Sequence, residues 1–90
     1  MAVVSRTEIA AYCRLDEEDM IDEAMRLAET MESRLKRKGA ADTVATHADF
    51  CLAVKAMTLH ELDHPGEKIP QGIQDMINEL KLVKHGGGGA

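Results

Sequence analysis

The sequence predicts an all-α fold, a small bundle of about four helices: one short, one long, one central and apolar, and one C-terminal. Three observations carry this expectation. Apolar residues recur at three- and four-residue spacing, the period of a helix face. Capping and stop signals fall at the ends of those stretches. No segment shows the two-residue alternation of a credible strand.

The first helix is short, spanning roughly 6–13. Ser5-Arg6-Thr7-Glu8 fits a capping box, in which the serine oxygen accepts a backbone N–H and the glutamate reaches back. Ile9, Ala10, Tyr12 and Cys13 follow, and the helix ends near Arg14-Leu15. A second helix is expected from about 17 to 38, with Asp16 as its N-cap. Glu17, Glu18, Asp19, Asp22 and Glu23 load its start with acid, and Arg34, Lys36, Arg37 and Lys38 load its finish with base. Both ends therefore complement the helix dipole. Ile21, Ala24, Met25, Ala28, Met31 and Leu35 form one apolar stripe, and Asp22–Arg26 and Glu32–Lys36 are expected as ion pairs on the solvated face.

A loop runs from Gly39 to about Thr46. The third helix then spans roughly His47 to His64, where Pro65-Gly66 stops it. Phe50, Cys51, Leu52, Val54, Met57, Leu59 and Leu62, with alanines among them, cover more than one stripe, so this helix is expected to be central. Ile69-Pro70 opens the fourth segment, about 71–82, with Ile73, Met76, Ile77 and Leu80 on a narrow stripe. Residues 1–83 then form one domain, and Lys84-His85 followed by four glycines and Ala90 reads as a flexible tail.

Composition narrows the function classes. In 90 residues, 44% hydrophobic and only 2% aromatic, the core must be aliphatic. A domain of this size buries only roughly 60–65% of its unfolded surface and is marginal alone, so oligomerisation is an ordinary remedy. Sixteen acidic residues against 11 Lys and Arg leave a net charge of −5, which argues against a phosphate-neutralising surface for nucleic acid. No apolar run approaches the ~20 residues of a membrane span, so no membrane association is expected. Met1-Ala2-Val3-Val4-Ser5-Arg6 lacks the apolar stretch of a signal peptide. Two cysteines, Cys13 and Cys51, are too few for a disulfide scaffold and read as buried reduced thiols of a cytoplasmic protein.

The search for chemistry finds one motif. His60-Glu61-Leu62-Asp63-His64 matches H-E-x-x-H, which places two zinc-binding imidazoles and a catalytic glutamate on one helix face. The extended metalloprotease pattern fails, because Gly66 is misplaced and no histidine stands where a third ligand belongs. Pro65 also leaves the second histidine on a terminal turn. A polar helix end is therefore favoured over a zinc hydrolase using His60, Glu61 and His64, and no catalytic residue, metal or cofactor is expected. The acidic run at 16–23 lacks the alternating ligands and central glycine of an EF-hand loop, and helix-terminus electrostatics explains it without a metal.

The order of elements says more than any motif. A short helix ends in Tyr12-Cys13-Arg14-Leu15-Asp16; a long acid-to-base helix follows; an alanine-rich apolar helix comes next; and Ile69-Pro70-Gln71-Gly72-Ile73 leads into the last. Over residues 5–83 this pattern resembles the head–tail connector (adaptor) proteins of tailed bacteriophages. In that family a Y-x-R/K-L/I-D segment opens the long helix and an L/I-P-x-G-I/V turn opens the final one. The resemblance implies a non-catalytic α-helical virion subunit, assembled in the host cytoplasm. Its copies form a homo-oligomeric ring, commonly dodecameric, that docks on the portal protein, offers a platform to the next neck or tail protein, and extends the channel for genomic DNA without binding it specifically.

Residue roles follow as expectations from that resemblance together with the charge pattern. Asp19, Asp22, Glu23, Arg34, Arg37 and Lys38 would form ion pairs between adjacent subunits. Lys81, Leu82, Lys84 and His85 would contact the portal, and Asp42 and Asp49 would line the DNA channel. Small helical DNA-packaging accessory or regulatory proteins remain the alternative class.

Overall fold

The computed structural model describes residues 3–40, 42–43 and 45–89, with side chains described as far as Lys81. It is all-helical: α1 (Arg6–Cys13), α2 (Glu18–Arg37), α3 (His47–Asp63) and α4 (Gln71–Gly89), with no strand among the described residues. The central helix is α3. It packs on α2 most extensively and on α4 and α1 as well, and α1 also packs on α2.

Local chemistry explains the helix ends. Ser5 and Glu8 form the expected capping box: Ser5 Oγ accepts the Glu8 N–H at 3.1 Å and Glu8 Oε1 accepts the Ser5 N–H at 2.9 Å. Arg14 closes α1 in the left-handed region, at φ 56°, and the Leu15 N–H then bonds back to the Ala10 carbonyl at 2.9 Å. A similar exit ends α2. Gly39 takes φ 95°, which favours glycine, and the Ala40 N–H reaches the Leu35 carbonyl at 3.0 Å. Both turns fold an apolar residue inward: Ala40 is buried and Leu15 packs against the core.

Three local expectations are corrected. Glu17, not Asp16, is the N-cap residue of α2, and its side chain makes no capping bond. The acidic first turn is instead met by Arg6 of α1, whose guanidinium bonds Glu18 Oε2 at 2.6 Å and also Asp22. That second contact replaces the Asp22–Arg26 pair expected along the helix. A fork of two N–H donors engages two carboxylates at once, which a single i,i+4 contact does not do. The Glu32–Lys36 pair does form, at 3.0 Å, but Glu32 is buried at 8% exposure and not on the solvated face. Its other oxygen accepts the Val3 N–H at 2.8 Å, so the N-terminal segment covers it.

One core, aliphatic except for Phe50, its largest fully buried side chain, joins all four helices. Ile9 of α1, Ala24, Ala28, Met31 and Leu35 of α2, Phe50, Ala53, Val54 and Met57 of α3, and Ile77 and Leu80 of α4 are buried in it, with Val4 of the N-terminal segment. Of the four methionines placed on core stripes, Met31 and Met57 are buried, and Met25 and Met76 pack against the cluster. Thr58, fully buried, satisfies its hydroxyl on the Val54 carbonyl at 2.8 Å. The backbone of α4 continues to Gly89, past Leu82 where the apolar stripe ends and through most of the segment read as a tail. No proline interrupts the ladder there, although glycine is, after proline, the least favourable residue for a helix.

Candidate functional site

Two features of the surface stand out against this core. The first is the free face of α2. Its residues Asp19, Asp22, Glu23, Arg34, Arg37 and Lys38 are all exposed, with acid near the start of the helix and base at its finish. Asp22 is already held by Arg6. Asp19, Glu23, Arg34, Arg37 and Lys38 enter no ion pair among the described residues. Three uncompensated cations thus sit together in the last turns of a helix whose other end is anionic.

The second feature is an open groove of about 300 Å³ between α4 and the start of α3, lined by Thr46, Asp49, Leu52, Met76, Glu79 and Leu80. Its floor is apolar, formed by buried Leu80 with half-buried Met76. Leu52 stands at its wall with 39% exposure, one of two large hydrophobic side chains left exposed among the described residues. The carboxylates of Asp49 and Glu79 occur on this lining, and neither forms an ion pair among the described residues. The groove is therefore apolar within and anionic beside. Periodicity alone did not reveal it, because it depends on how α4 packs on α3.

The H-E-x-x-H residues are arranged as a helix terminus. His60 and His64 have ring centroids 5.5 Å apart, tilted by 34°. His64 Nδ1 lies 3.0 Å from Glu67 Oε2, and His60 Nε2 lies 3.4 Å from the Glu67 carbonyl oxygen. Glu61 Oε2 accepts the Gly66 N–H at 3.3 Å, so it braces the turn that Gly66 makes at φ 77°. Among the described residues, no group of three His, Cys, Asp or Glu is arranged to hold a metal ion.

A third constellation escaped the sequence reading. His47 Nε2 lies 3.5 Å from Cys51 Sγ, and His47 Nδ1 lies 2.9 Å from Asp42 Oδ1. The four-residue spacing of His47 and Cys51 on one helix was a readable signal, whereas Asp42 joins them only through the loop. Asp42, expected at a channel wall, is turned to this imidazole, with a side chain only 20% exposed. Cys51 is buried beneath Val3, and burial, followed by the nearby Asp42 and Glu8 carboxylates, pushes its thiol up. A thiol held protonated in this way is a poor nucleophile. Cys13 is also free and buried, and burial raises it too.

The remaining expected residues are placed as follows. Asp49 lies on the groove lining and is exposed. Lys81 is half-buried on α4, while the side chains of Leu82, Lys84 and His85 fall outside the described residues. No helix among the described residues is long and apolar enough to cross a membrane. No protein-family model matches the chain, and neither the curated proteins nor the solved structures contain a match to it.

Proposed function

We propose that this chain is a structural virion protein, a head–tail connector subunit whose copies form a ring on the portal and extend the DNA channel towards the tail. The single observation that carries the reading is the polarised face of α2, anionic at its start and bearing at its finish Arg34, Arg37 and Lys38, which enter no ion pair among the described residues. Such a face is complementary to itself in a head-to-tail arrangement, and heterologous contacts close into rings when the rotation permits.

Other features support it. A four-helix domain of 90 residues is marginal alone and gains from neighbours. The acidic excess, net −5, suits a conduit through which DNA slides without tight phosphate contacts. The order of a short helix, an acid-to-base helix, an apolar central helix and an Ile69-Pro70 entry resembles that of the connector proteins of tailed bacteriophages.

Light scattering, with and without the cognate portal protein, tests the reading. Ring-sized particles, formed alone or only on the portal, support it. A dimer at every concentration that ignores the portal contradicts it and favours a small regulatory or packaging-accessory protein.

A further inference from the structure

We propose that the groove between α4 and the start of α3 is the docking site for the basic last turns of α2 from a second copy of this chain. The inference rests on the connector reading and gives the basic end of α2 a partner other than the acidic start of α2: the acidic groove of the next subunit. Each half is incomplete within its own chain. The groove holds an exposed leucine and a half-buried methionine beside two carboxylates, Asp49 and Glu79, that pair with no cation among the described residues. Arg34, Arg37 and Lys38 are exposed cations that pair with no carboxylate among the described residues.

The chemistry of the two halves matches. Arg34 stands three and four residues from Arg37 and Lys38, so all three share one side of the final turns. Arginine and lysine carry long aliphatic stems that lie well on apolar surface while the charged head reaches a polar rim. Laid over Leu52 and Met76, those stems would cover the exposed hydrophobic wall, and the heads would meet Asp49 and Glu79. A nucleic-acid strand as the groove's occupant is excluded by sign: carboxylates line this groove, and a phosphate backbone would be repelled.

Position also matters. The basic turns close α2, whereas the groove lies between α4 and the start of α3, so the two halves are distinct sites on one subunit. A contact between unlike faces is heterologous, and it propagates from copy to copy around a ring rather than ending at a dimer.

Charge exchange in mixed assemblies tests the pairing. One variant carries Asp49→Lys and Glu79→Lys; the other carries Arg34→Glu and Arg37→Glu. All four positions are exposed, and circular dichroism checks that each fold survives. Glu79→Lys alone, away from either helix terminus, serves as the milder version. Assembly is read by sedimentation with and without portal. Each double variant should lose at least tenfold of its assembled fraction, and Glu79→Lys several-fold. A one-to-one mixture of the double variants should recover assembly, since an alternating ring sets every Lys-bearing groove against a Glu-bearing helix end and every native groove against a native end. Variants that assemble like the unaltered chain, or a mixture that stays dispersed, would overturn the docking site and leave the connector reading standing. An unaltered chain that forms no ring on any portal would overturn both.

Discussion

The carboxylate of Glu32 accepts the backbone N–H of Val3 at 2.8 Å, tying the start of the chain to the middle of α2. Its second oxygen takes Lys36 Nζ at 3.0 Å, so both halves of a nearly buried charge are satisfied. Glu32→Ala should therefore leave the Val3 amide without its partner and free the segment that lies over Cys51. A loss of about 1.5–3 kcal/mol is expected from removing a hydrogen bond to a charged acceptor. Urea denaturation measures the loss, and faster hydrogen exchange at Val4 locates it. Unchanged exchange there would contradict the clamp.

The capping box of α1 makes a prediction with a sign in pH. The Ser5 backbone N–H bonds the Glu8 carboxylate and holds its pKa below the usual value of 4.5. A group lowered in the native state contributes stability above that value, and the contribution vanishes as the pH falls through the lowered pKa. Glu8→Gln should flatten the acid limb of the stability curve, while Ser5→Ala should cost about 1 kcal/mol at neutral pH. An acid limb identical in native and Glu8→Gln proteins would rule out the reciprocal bond.

Ile77 is the fully buried contribution of α4 to the core, beside Leu80 at 2% exposure. Ile77→Ala should cost about 2–5 kcal/mol, as truncations of buried aliphatic residues do. Because Ile77 and Leu80 are the buried anchors of this helix among the described residues, α4 should loosen before the rest. Protease sensitivity confined to residues beyond 70 in the variant would show this directly.

Both thiols are buried and raised by that burial. An aromatic disulfide reagent at neutral pH should label Cys13 and Cys51 slowly in the native protein and completely once it is unfolded. Rapid native labelling of Cys51, dependent on His47, would show that the imidazole at 3.5 Å activates the thiol in spite of its surroundings.

Much of the fold was legible because helix periodicity and capping chemistry are local. The α2 stripe, the Ser5–Glu8 box and the proline stop after His64 each reside within a few residues of sequence. What was not legible depends on residues brought together from afar. Asp22 found Arg6, sixteen residues away, in preference to the neighbouring Arg26. Glu32 was drawn under Val3 by a partner twenty-nine residues distant. The groove at Leu52 exists only where α4 crosses the start of α3, so its apolar wall read simply as part of an apolar helix. His47 and Cys51 stand four residues apart and were visible in principle, but Asp42 completes the line through a loop without periodicity.

Electron microscopy of the purified chain mixed with its portal protein puts the proposed function to the most direct test. The connector reading predicts a closed ring of extra density, coaxial with the portal and continuing its central channel. Portal particles indistinguishable from those imaged without the chain, at concentrations where the chain is folded and in excess, would contradict it.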